Sequence, residues 1–200
     1  METTMNHEDL CKAIRHIAWG YILIHLHFRL GTLDLLPDFV GYLLFLDALP
    51  HLGKIEPSAL LLKPFCLFLV LWELAMWILS IFGITDLGYL PGLLVTIISL
   101  YFHFQLLTNL AAIAKIYNCP EERSILLLRT IRTLMITLFA LPLPWNEQSA
   151  LTVIMLIITL VVTFVLCATL FSLHKSLVAC APEDGVLPDS EQNPPFPPKE

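Results

Sequence analysis

Charge is scarce in this 200-residue sequence: 14% of its residues are Asp, Glu, Lys or Arg, against 57% hydrophobic. An ordinary soluble domain is roughly a quarter charged. Apolar surface on this scale has no place to hide in one soluble core of this length. The shortage of charge therefore excludes a typical cytosolic enzyme, a disordered chain and a nucleic-acid binder. Cysteine is also sparse and scattered, at Cys11, Cys66, Cys119, Cys167 and Cys180. There is no C-x-x-C pair and no Cys/His cluster at zinc spacing, so neither a disulfide framework nor a structural metal is expected. Walker, G-x-S-x-G, H-E-x-x-H and Rossmann signatures are all missing. No enzyme chemistry and no cofactor are expected. The acidic N-terminus has no small-residue cleavage site and does not read as a removable signal peptide.

What is present is a series of apolar runs, with a mean hydropathy of +0.77. Three of them, Pro64–Thr85, Leu87–Ala114 and Ser149–Leu173, are long enough to cross a hydrocarbon core of about 30 Å. Pro91 suits the first turn of the second of these, where a missing N–H costs little. Three further segments are more polar. Ile14–Leu30 contains Arg15, His16, His25, His27 and Arg29. Leu35–Leu52 contains Asp38, Asp47 and Gly41. Ser124–Trp145 begins with Arg129 and Arg132.

The connections between these segments alternate in basic content. Lys12 and Arg15 precede the first segment, Lys54 and Lys63 follow the second, Lys115, Arg123, Arg129 and Arg132 follow the fourth, and Lys175 follows the sixth. The intervening turns carry none, apart from Arg29 at the far end of the first segment. Under the positive-inside rule this predicts an all-α integral membrane protein of six transmembrane helices, arranged as three hairpins with both ends in the cytoplasm. The expected division is a cytoplasmic segment 1–13, a six-helix membrane domain 14–176 and a disordered, acidic, Pro-rich cytoplasmic tail 177–200.

Polar residues inside apolar runs carry the candidate chemistry. Glu73 stands mid-way along Pro64–Thr85, where a charge costs about 2.5–3.5 kcal/mol on insertion scales. If the following turn centres near residue 88, position 73 lies level with His103, the one charged or imidazole side chain in 87–114. Glu73 and His103 are thus a candidate intramembrane polar pair. They would form either a hydrogen bond that joins two helices or a proton- or cation-linked site. Thr96, Ser99 and His103 share a helix face, Gln105 and Asn109 form an i, i+4 pair, and Thr159, Thr163 and Cys167 follow the same spacing. Such small and hydroxyl residues usually mark helix packing. A second candidate cluster is the first outer turn, where Arg29 can pair with Asp34 or Asp38 and Asp38 stands at the cap or in the first turn of the next helix. Its two histidines, His25 and His27, point to different sides of a helix, so no metal site is expected there. Arg129 and Arg132, on one face near a helix end, suit snorkelling to lipid phosphates.

The stretch Gly20–Tyr42, with His25, His27, Arg29, Gly31, Asp34, Pro37, Asp38 and Gly41, resembles a block in uncharacterised small multi-pass membrane proteins of clostridial bacteria. It covers about an eighth of the chain. The resemblance implies a bacterial cytoplasmic membrane and assigns no catalytic role to any residue. The leading expectation is a non-enzymatic membrane component or interaction subunit in the lipid bilayer, with a membrane-protein partner or a homo-oligomer. The alternative is a small proton- or cation-linked transporter or channel using Glu73 and His103.

Overall fold

The computed structural model describes residues 7–25, 29–30, 33–34, 37–84, 88–140 and 150–179. The expected acidic tail beyond 179 and the turn at 145–148 lie outside the described residues. Each of the six apolar segments overlaps a helix: α1 (His7–His25), α2 (Asp38–Leu52), α3 (Lys63–Ile81), α4 (Tyr89–Ile116), α5 (Glu122–Ala140) and α6 (Ala150–Ala179), although α1 begins before the expected Ile14 and the expected end of that segment, Arg29–Leu30, is strand. A short 3-10 helix, Pro57–Leu62, leads into α3. The exception to helix is a two-residue antiparallel ladder, β1 (Arg29–Leu30) with β2 (Leu33–Asp34), at the tip of the α1–α2 hairpin.

Three stretches are long and apolar enough to cross a membrane: Pro57–Ile81, Tyr89–Ile116 and Val153–Ala179. The other three helices are shorter or more polar. At 15 residues α2 is about 22 Å long. Helix α1 is amphipathic. Leu10, Ala13, Ile14, Ile17, Ala18 and Tyr21 are buried along one face, while Glu8, Lys12, Arg15 and Trp19 are exposed on the other.

Helix ends follow from local chemistry. Helix α3 stops at Gly83, whose φ of 79° lies in the left-handed region. The Ile84 N–H returns to the Leu79 carbonyl and the Gly83 N–H to that of Ser80. These are the two bonds of a Schellman cap. Asn118, at φ 53°, closes α4 in the same way, with Cys119 N–H bonded to Ala114 O and Asn118 N–H to Lys115 O. Pro91 sits in the first turn of α4 as expected.

The bundle is packed at one end and open at the other. Buried residues run from Leu10 to Tyr21 on α1, from Phe102 to Ala114 on α4 and from Thr163 to Leu177 on α6. The opposite ends of the long helices expose Leu71, Ile78 and Ile81 on α3, Leu90, Leu94 and Ile97 on α4, and nearly every residue of 153–161 on α6. Contiguous apolar exposure of this size suits contact with lipid or another membrane protein.

Two contacts fix the packed end. The first is a crossing of α1 and α2 at glycine. A Cβ on Gly41 would lie 2.5 Å from Ile24 Cγ1 and 2.7 Å from the Gly20 carbonyl oxygen, and a Cβ on Gly20 would lie 2.9 Å from the Gly41 carbonyl oxygen. His16 and Asp47 bond across the same helix pair at 2.9 Å, so Asp47 is part of the hairpin and faces outward. The second is a clamp at the α4–α5 turn. The buried Glu121 carboxylate accepts hydrogen bonds from Ser172 (2.7 Å) and Ser176 (2.8 Å) on α6. Burial pushes the Glu121 carboxyl up, but the two serine hydroxyls outweigh it and hold it below its ordinary value.

Gly41→Ala should therefore destabilise by about 1–3 kcal/mol despite the better helix propensity of alanine, because the added methyl meets backbone. Chemical unfolding in detergent measures this, and a gain in stability would contradict the close crossing. Glu121→Gln should lower stability at pH 7 by about 1–2 kcal/mol. The folded carboxyl is held below its unfolded value, so the wild-type advantage is complete above the unfolded value. It should fade as the pH falls through the folded one. Unfolding curves from pH 7 down to pH 3 check the direction.

Candidate functional site

The polar groups expected to pair across α3 and α4 are arranged differently. His103 is 3% exposed, and both of its ring nitrogens are engaged by tyrosines. Tyr42 Oη of α2 lies 3.3 Å from Nε2, and Tyr21 Oη of α1 lies 3.1 Å from Nδ1. Tyr42 Oη also lies 3.4 Å from Ser99 Oγ, one turn before His103 on α4. Among the described residues the hydrogen-bond partners of His103 are the two tyrosines, and Glu73 is not one of them.

The reason is register. Phe65 packs on Tyr101 with ring centroids 5.0 Å apart, and Ser58 Oγ lies 2.9 Å from the side-chain amide of Asn109. Antiparallel counting from these contacts places His103 level with residues 63–64, nine or ten positions before Glu73. That is roughly 14 Å along the helix axis. The chain reverses at Gly83, several residues before the assumed centre near 88, and this moves α4 past α3.

Proton placement in the chain follows from donor counting. A neutral imidazole has one donor and one acceptor nitrogen. If Tyr21 donates to Nδ1, the Nε2–H donates to Tyr42 Oη and the Tyr42 hydroxyl donates to Ser99 Oγ. Every proton but that of the Ser99 hydroxyl is then used. The reverse arrangement runs from Ser99 to Tyr21 and leaves the Tyr21 hydroxyl proton without an acceptor in the chain. In either direction one ring nitrogen donates and the other accepts, so a neutral His103 serves both tyrosines.

A second group adjoins the Tyr21 end. Arg132 of α5 is 9% exposed, and its guanidinium carbon lies 5.3 Å from the centre of the Tyr21 ring. Its Nη1 donates to His25 Nε2 at 3.1 Å. His25 Nδ1 is 2.8 Å from the Tyr21 carbonyl oxygen. A carbonyl accepts and a guanidinium donates, so His25 carries its proton on Nδ1 and is neutral. Arg129 also turns inward. It donates to Thr108 Oγ1 at 2.9 Å, and its guanidinium carbon lies 4.4 Å from the centre of the Phe104 ring. The expected snorkelling of these arginines to lipid phosphates is therefore corrected: Arg129 packs on α4 and Arg132 on α1. In the outer turn the ladder register sets Arg29 opposite Asp34, and Asp38 is the first residue of α2. Pro37 holds the cap position, with no side-chain cap bond, so Asp38 contributes to the first turn and does not cap the helix.

Tyr21, Tyr42 and Arg132 were in neither the expected pair nor the expected cluster, and His25, expected in the outer-turn cluster, bonds instead to Arg132 and the Tyr21 carbonyl. A usable signal existed, since a tyrosine deep in an apolar run must find a hydrogen-bond partner. No protein-family model, curated protein or solved structure matches this chain.

Replacing His103 by leucine strands the buried Tyr21 hydroxyl and leaves Tyr42 with Ser99 alone, and should cost about 1–3 kcal/mol. Adding Tyr21→Phe and Tyr42→Phe to that variant should recover most of the loss, because both buried tyrosine hydroxyls are then removed. Urea or thermal unfolding of the single and triple variants tests this. A triple variant less stable than the single would show that the tyrosines have other partners.

Proposed function

We propose that this chain is a six-pass integral membrane protein of a bacterial cytoplasmic membrane, with both ends in the cytoplasm. It serves as a non-enzymatic membrane component, an interaction subunit that associates with other membrane proteins or with copies of itself. The observation that carries the reading is the matched hydrogen-bond chain Tyr21–His103–Tyr42–Ser99. It joins α1, α2 and α4 with both nitrogens of the buried imidazole bonded to a tyrosine hydroxyl, which is the behaviour of groups that hold helices together. Orientation is supported by the basic residues. With Arg129 and Arg132 turned into the bundle, Lys115 and Arg123 still mark the α4–α5 connection, and the alternation along the chain persists. The exposed apolar ends of α3, α4 and α6 supply surface for lipid and partner helices.

The second reading is a proton- or cation-linked transporter, favoured by the carboxyl of Glu73 inside the membrane-length stretch Pro57–Ile81. Against it stands the charge of Arg132, which is permanent and lies over the Tyr21 ring. A cation entering the chain from that side meets a fixed positive charge in low dielectric, which opposes it strongly.

Single-cysteine variants at positions 34, 86 and 147 should label from outside the cell, and those at 56, 122 and 185 from inside. Labelling of 34 from the cytoplasm would reduce the pass count. In liposomes under a pH gradient, the protein should carry no proton or cation flux above that of empty vesicles. Flux that disappears in Glu73→Gln, with folding intact, would replace this reading by the transporter.

A further inference from the structure

Between α1, α5 and α6 lies a cavity of about 70 Å³, bounded by His25, Arg132, Met135, Thr159, Val162 and Thr163. A cavity needs only about 10–15 Å³ by this measure to hold one water, so this one has room for an ion and part of its hydration. Its walls are apolar except for the two threonines, His25 and the guanidinium. Thr159 donates its hydroxyl to the Met155 carbonyl on its own helix. Arg132 spends Nη1 on His25, but its buried Nε–H has no acceptor. Among the described residues no carboxylate lies within ion-pair distance of Arg132. A guanidinium does not lose its proton, and a buried, unbalanced charge costs several kcal/mol. Charge and unused donors therefore call for the same thing, an acceptor of negative charge.

We propose that this cavity binds a small monovalent inorganic anion, held by the unspent donors of Arg132 with the Thr163 hydroxyl as a second donor. The apolar walls Met135 and Val162 favour a weakly hydrated anion of halide size, and the volume is too small for a lipid headgroup. His25 contributes no donor here, because its one N–H goes to the Tyr21 carbonyl. The bound anion would neutralise Arg132 beside Tyr21 and so steady the polar end of the hydrogen-bond chain.

The test is thermal unfolding of the full chain in nanodiscs, with sodium gluconate replaced stepwise by sodium chloride at constant ionic strength. The expected result is a saturable rise in unfolding temperature, as binding to the folded state requires. Arg132→Gln should abolish the rise. Thr163→Val, which leaves the guanidinium in place, should raise the chloride concentration at half-effect roughly fivefold, the loss of one hydrogen bond. No chloride response in the wild type would overturn the site, as would responses in both variants equal to wild type. If Arg132→Gln does not fold, an unchanged midpoint in Thr163→Val overturns it alone. Chloride efflux from loaded liposomes separates this inference from the functional reading above. Efflux would overturn the non-transport role and leave the site standing, whereas an absent chloride response removes the site and leaves that role.

Discussion

Gly20 and Gly41 let the backbones of α1 and α2 cross so closely that a methyl group on either would meet the other's carbonyl oxygen. Each glycine is followed by a tyrosine, so the crossing also sets Tyr21 and Tyr42 side by side. Both rings then lie against Phe45, at 5.1 Å and 5.8 Å between centroids, and both hydroxyls reach the same imidazole on α4. Without the close approach the two hydroxyls would sit farther apart than one imidazole can span. The position of α4, the neutrality of His103 and the contact of Arg132 with the Tyr21 ring all follow from this one backbone constraint.

The helices were legible in the sequence because each is an apolar run closed by glycine, proline or charge, and each expected segment corresponds to a helix. The pairing of Glu73 with His103 was not, because it depended on where the α3–α4 turn reverses. Gly83 and the Schellman bonds to Leu79 and Ser80 place the reversal early, and a shift of a few residues in the turn doubles in the register across a hairpin. The roles of Arg129 and Arg132 were hidden for another reason. A long cationic side chain near a helix end can reach outward to phosphate or inward to an aromatic face, and the choice depends on Phe104, Thr108 and Tyr21 on other helices. The Gly-Tyr dipeptide shared by α1 and α2 is too short to register as a repeat, yet it specifies the centre of the bundle.

Among the described residues, some polar groups balance and the two inward arginines do not. A neutral His103 serves both of its tyrosines, and His25 is neutral by donor counting alone. Glu121 is charged but stands at a turn, where two serine hydroxyls serve it. Arg132 carries a charge that no rearrangement of protons removes. In a medium of low dielectric such a charge organises its neighbours. It fixes the tautomer of His25 through Nη1, and it favours a Tyr21 hydroxyl that points its proton toward His103.

This inequality explains why the bundle is packed at one end. In lipid, apolar surface gains little by leaving the hydrocarbon, so helices associate through close packing and hydrogen bonds. The glycine crossing, the His103 chain, Ser58 with Asn109 and the Glu121 clamp all belong to the same half of the molecule. The ends of α3, α4 and α6 beyond them carry few groups of either kind. They have no physical reason to close on one another, and their exposed leucines and isoleucines are as well satisfied by acyl chains as by a neighbouring helix. The open half is thus a consequence of where the sequence places its glycines and hydroxyls, and the same surface is what a second membrane protein would meet.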